Sequence, residues 1–261
     1  QSVVNSCYIP LKSIYTYTMM IATECVTDLL SIASGTLDAR LDVTPAIPRH
    51  GATVWQNGYL GVQRCNFAVE GIERAYEQEI LSVEQYNELI CEAKVLRGFY
   101  YWLLTSFFGD VPFYFDDVTD NAVLNRIALL PRMDANETRQ ALYDDINNYI
   151  QYLPQQRTCE DKEARAGAAL GYMLMAKFMM WNQQWDEAIV QLLKLEELYG
   201  DLQQYPLHEI MWRYKNVPEG IFELQLNYAP DGVQYYGNVA CIMMPPHKGN
   251  MIFDGIYMSG Y

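Results

Sequence analysis

The sequence predicts a mainly α protein of stacked helical hairpins, with irregular loops and minor β. Three observations predict it. Leu89, Ala93, Leu96, Tyr100, Leu103 and Phe107 recur at alternating four- and three-residue steps, the spacing of one helical face. A second long unit, residues 164–199, alternates small and large residues as two packed antiparallel helices require. Beyond Gly200 the helical period stops, and Phe222, Leu224 and Leu226 alternate with Glu223 and Gln225 as in a strand.

From Pro10 to about Ser34 the positions Ile14, Tyr17, Ile21, Cys25, Leu29 and Ile32 predict a helix, which Gly35 ends. Residues 36–54 hold no steady period, contain Pro45 and Pro48, and read as a long ordered loop. A second helix runs from Trp55 to about Glu79, with Tyr59, Val62, Asn66 and Val69 on one side. Asn66 lies among apolar neighbours, so a buried amide with hydrogen-bond partners is expected there. Ser82 with Gln85 has capping-box spacing and opens the aromatic helix. Gly109 closes it, and Pro112 prevents a restart. Asp134 with Glu137 caps a further helix striped by Leu142, Ile146, Tyr149 and Leu153, and Pro154 stops it. Asp144-Asp145 on that helix reads as a solvated face.

In residues 164–199, Met175, Ala176, Met179, Trp185, Ala188 and Leu192 take tetratricopeptide-like spacings, with the turn at Asn182 to Trp185. Ala176 and Ala188 admit close helix approach, while Trp185 and Leu192 are expected to fill the space beside them. Leu195 departs from the pattern, which wants a small residue. One such unit cannot bury its face alone, so an α-α superhelix of stacked neighbours is expected. The methionines Met173, Met175, Met179 and Met180 read as core filler. Residues 200–261 form a loop-rich region with a short strand over 220–226.

Composition limits the function. The formal charge of −14 and the lack of a Lys/Arg cluster exclude phosphate-backbone recognition and electrostatic docking on anionic lipid. No stretch reaches the roughly 20 apolar residues of a membrane-spanning helix. Six scattered cysteines form no CxxC pair and predict neither a disulfide framework nor a metal site. His50, His208 and His247 lack metal-ligand spacing, and no phosphate loop or nucleophile elbow occurs. No catalytic residue, metal or cofactor is assigned.

Glu92-Ala93-Lys94, Leu96-Arg97, Phe99-Tyr100-Tyr101 and Phe108-Gly109-Asp110-Val111-Pro112 together resemble the central signature of the SusD/RagB family. Thr27-Asp28, the Trp55-to-Asn66 spacing, Leu153-Pro154 and Glu219-Gly220-Ile221-Phe222-Glu223 resemble further family segments in the same order. The resemblance implies a lipid-anchored protein on the extracellular face of an outer membrane. It would capture oligosaccharides, or peptides in some members, for a SusC-like TonB-dependent transporter. It also implies that residues 1–261 are a single domain truncated at both ends, since members begin with a lipidated cysteine and are usually longer. Cys7 lacks the context of that anchor. A tetratricopeptide-type scaffold for protein partners is the reading from a different class.

Sugar rings stack their C–H face on aromatics and place hydroxyls against planar polar groups. Trp55 and Tyr59 with Arg49 and His50 offer such groups near the first loop; Tyr235, Tyr236 and Asn238, with Tyr228, offer them in the tail. These are the candidate ligand-binding residues, and a packing role is the competing reading for each aromatic. The loop before Trp55 contains no Trp, so a starch-type aromatic arc is not expected.

Overall fold

A computed structural model describes residues 2–15, 19, 23, 30–32, 51–154, 165–205, 218–224 and 256–258, of which 30–32 and 256–258 as backbone. Two short helices come first, α1 (Ser2–Cys7) and α2 (Ile9–Ile14). Strand β1 (Leu30–Ile32) follows. Long helices α3 (Gly51–Glu77) and α4 (Val83–Phe108) come next. Strands β2 (Val111–Pro112) and β3 (Arg132–Met133) flank helix α5 (Asn121–Ala128). Helix α6 (Ala135–Asn147) ends in a 3-10 turn, Ile150–Tyr152. The hairpin of α7 (Ala168–Trp181) and α8 (Trp185–Tyr199) leads into a 3-10 turn, Leu202–Gln204, and β4 (Ile256–Met258) is last.

The chain divides into two compact units. One comprises Gln1–Tyr8 and Gly61–Leu224, the other Ile9–Leu60 and Gln225–Tyr261. In the first, α4 is the centre: Leu96, Tyr100, Tyr101, Leu103 and Leu104 are all buried. Helices α6 and α7 pack on α4, and α8 packs on α7. This is the stacked-hairpin, tetratricopeptide-like architecture that the sequence predicts. Ala176 and Ala188 are both buried, as close helix approach demands.

The local signals act as expected. The Ser82 side chain accepts from the Gln85 amide at 3.3 Å while Gln85 Oε1 accepts from the Ser82 amide at 3.1 Å, a full capping box. Gly109 takes φ +66°, which a side chain would resist, and its N–H closes α4 on the Thr105 carbonyl. Asp110 then accepts from the Ala135 amide at 3.0 Å and Asp134 from those of Asn136 and Glu137, so two carboxylates hold the start of α6. Between them Val111 pairs with Met133 and Pro112 with Arg132.

Four local expectations are corrected. Leu30–Ile32 is a strand, antiparallel to Ile256–Met258 with Leu30 opposite Met258, so no helix extends to Ser34. A partner distant in sequence decides this backbone, against the local spacing. Residues 220–224 form no strand; Gln225 and Leu226 lie outside the described residues. Trp185 is 57% exposed and Leu192 38% exposed, because Ala188, Gln191, Leu195 and Tyr199 form the buried face of α8. Met175 and Met179 are core, whereas Met180 points out.

Among the described residues no helix is long and apolar enough to cross a membrane. In the second unit, α2, the β1–β4 pair and residues 51–60 of α3 are described.

Candidate functional site

The predicted aromatic pair sits on α3. Trp55 and Tyr59 are one turn apart, hence on one face, with ring centroids 4.9 Å apart and planes tilted by 59°. Both are half-buried, so each ring keeps surface in reach of a ligand. Helix α3 begins at Gly51, four residues before Trp55, which places Trp55 in the second turn rather than at the start. Arg49, His50, Tyr235, Tyr236 and Asn238 lie outside the described residues, and so does Tyr228.

A second candidate lies in the unit built on α4. A groove of about 810 Å³ opens beside the end of α8, with Met173, Leu195 and Ile221 among its apolar lining. Glu196, Asp201 and Glu219 line it as well, alongside Tyr199. The corner is well fixed. Gly200 turns the chain at φ +67°, and Asp201 accepts from the Gln203 amide at 2.9 Å. The hydroxyls of Tyr199 and Tyr205 donate to the carbonyls of Gly220 and Tyr199. Carboxylates over an apolar floor accept hydrogen bonds from hydroxyl or ammonium donors while the floor takes C–H surface. Sequence reading missed this groove. Its one local signal is the Tyr-Gly-Asp corner that ends α8, and the rest of its wall comes from Met173 on α7, from the α8 side chains and from Glu219 and Ile221 further along the chain.

The residues of the central signature are mostly a frame for the segment after β2. Asn66 Nδ2 donates to the carbonyls of Tyr114 and Asp116 at 3.4 and 3.1 Å. Its Oδ1 accepts from Arg97 at 2.9 Å. Arg97 is only 2% exposed; it also donates to Asp145, which pairs with Lys94 as well. The Tyr101 hydroxyl both donates to the Tyr114 carbonyl and accepts from its amide, each at 3.0 Å. Phe115, partly exposed, lies with its ring 3.7 Å from the Arg97 guanidinium carbon. Asp145 is therefore no solvated carboxylate: only its neighbour Asp144 is exposed. A second buried pair, Arg165 on Glu92 at 2.8 Å, takes in the Tyr8 hydroxyl and Asn5 and fastens α1 to α4. Cys7 is buried at the end of α1.

Helices stacked in hairpins on one aromatic rod, with side-chain networks that brace surface segments, define a tetratricopeptide-like helical protein. The family model for SusD-like proteins, described as starch-binding and associating with the outer membrane, matches residues 17–180. That is more than half of the chain, and the chain belongs to this family. SusD-like protein P25 of Formosa agariphila is 23% identical over 163 residues, 62% of this chain and 28% of that protein. A SusD superfamily structure from Bacteroides vulgatus aligns at TM-score 0.67 with 21% identity, covering 85% of this chain and 48% of that one. Surface glycan-binding protein A from Bacteroides thetaiotaomicron, solved with laminarihexaose, aligns at TM-score 0.57 and 20% identity over 78% and 43%. This chain thus spans less than half the length of each.

Proposed function

We propose that the protein captures oligosaccharides at the outer surface of a Gram-negative cell and passes them to a SusC-like TonB-dependent transporter. The supporting observation is membership of a family described as starch-binding and outer-membrane-associated, together with the fold it shares with a laminarihexaose-binding protein. In this reading the protein is held by a lipid anchor and performs no catalysis. Trp55 and Tyr59 stack on sugar rings, with Arg49 and His50 from the preceding loop and Tyr235, Tyr236 and Asn238 from the tail as hydroxyl partners.

Magnitudes suit capture followed by release. Each aromatic contact contributes about 0.5–1.5 kcal/mol beyond area burial. Two such contacts plus a few hydrogen bonds give roughly −4 to −6 kcal/mol, a Kd on the order of millimolar to tens of micromolar. A carrier that must surrender its cargo works in that range.

Native gels cast with soluble polysaccharides test the reading directly. Retarded migration in at least one glucan gel, relative to plain acrylamide, is the expected outcome. Unretarded migration in every polysaccharide gel, with heat released on titrating a peptide pool, reassigns the protein to peptide capture.

A further inference from the structure

Two buried, free cysteines lie where the first helix meets the third. Cys7, the last residue of α1, and Cys65, within α3, are both fully buried. The Cys7 thiol donates at 3.5 Å to the carbonyl of Arg64, the residue next to Cys65. Two further bonds fix the same junction. Arg64 Nη1 donates to the Ser6 carbonyl at 3.2 Å, and the Tyr100 hydroxyl to the Cys7 carbonyl at 2.5 Å. A buried free cysteine is ordinarily a small hydrophobe. Two at one junction, on elements apart in sequence and with that junction fixed by hydrogen bonds, are placed for a covalent link. Cys91 offers the contrast, buried beside Lys94 and two carboxylates rather than a thiol.

We propose that Cys7 and Cys65 form a disulfide when the chain folds in an oxidising compartment, fastening α1 onto α3. That the cell supplies such a compartment rests on the surface location proposed above; the pairing itself does not. The chemistry is thiol–disulfide exchange. The thiolate of one cysteine attacks a disulfide oxidant such as oxidised glutathione, forming a mixed disulfide and expelling one glutathione thiolate. The thiolate of the second cysteine attacks the mixed disulfide, forms the Cys7–Cys65 bond and expels the other glutathione. The two protein thiols lose two protons and two electrons, and the oxidant is recovered as two thiols. In the folded state burial pushes the Cys65 thiol well above the usual range, so thiolate is scarce there. The exchange therefore precedes the seating of α1, and the bond, once enclosed, resists reductants.

The test is to refold the full chain in a glutathione redox buffer, trap free thiols with N-ethylmaleimide under denaturing conditions, and map the peptides by mass spectrometry. A linked peptide joining Cys7 to Cys65 should predominate. Reducing and refolding that product under reductant should lower its Tm by roughly 5–15 °C, while the C7S/C65S double variant has one Tm in both buffers. Alkylation of both Cys7 and Cys65 in the folded product, or their linkage to other cysteines, overturns the proposal, and this mapping needs no variant to fold. Protein recovered from whole cells forms the second arm. A linked peptide in the redox buffer but not from cells counts against the surface location and leaves the pair standing.

Discussion

At the scale of single residues the structure turns on a few polar groups buried to hold backbone in place. Asn66 satisfies two loop carbonyls and one guanidinium, and nothing else of its size supplies both a donor and an acceptor there. Asn66→Ala should destabilise the fold by about 2–4 kcal/mol in urea titration, and speed amide exchange over residues 113–117. The phenols make a second prediction. Burial, then the Tyr149 hydroxyl, raises Tyr86 to about 12, and burial raises Tyr15 to about 12. A raised phenol contributes stability that is whole below the unfolded value near 10 and lost as pH rises through the folded one. Stability should therefore decline between about pH 10 and 12. Tyrosinate absorbance should show these phenols ionising late until the chain unfolds. Asn66 is legible in the sequence, because an amide within an apolar stripe must be buried and paired. Asp145 is not: sequence shows two adjacent carboxylates, and only the packing of α6 on α4 shows that one of them meets Lys94 and Arg97. At the candidate sugar site, Trp55→Ala should weaken oligosaccharide binding by about 2- to 12-fold, read by calorimetry.

At the scale of elements, helix ends were set by local chemistry and helix faces by packing. Ser82, Asp134 and Gly109 mark boundaries that sequence alone locates, because a cap is made by residues within one turn. Strand β1 and the outward face of α8 are different. Three residues become a strand only where another segment pairs with them, and Trp185 faces outward only because Ala188 and Leu195 pack inward. Neither fact is carried by the residues themselves. The close approach of α3 to α4 gives a prediction at this scale. A Cβ on Gly61 would run into the Tyr100 ring, whose hydroxyl is already tied to the Cys7 carbonyl. Gly61→Ala gains helix propensity yet should be destabilising by about 1–3 kcal/mol, seen as a lower urea midpoint with an unchanged slope.

At the scale of the whole molecule, the architecture and the family agree, and the function proposed above is one of surface binding. The fold class was legible because long, capped helices with aromatic faces need neighbours, and stacked hairpins supply them. The candidate sites were less so. Trp55 and Tyr59 are found by type and spacing, whereas the carboxylate-lined groove beside α8 is assembled from segments that no local pattern connects. With a formal charge of −14 the molecule should disfavour acidic glycans and bind neutral ones with little dependence on salt. The most direct measurement is calorimetric titration of the full chain with laminarihexaose, maltohexaose and other neutral oligosaccharides, with the recovered sugars then sized by chromatography. The account predicts heat with at least one of them, a Kd between about 10 µM and 1 mM, and sugars returned at their original length. Shortened products, or no heat with any sugar, would contradict it.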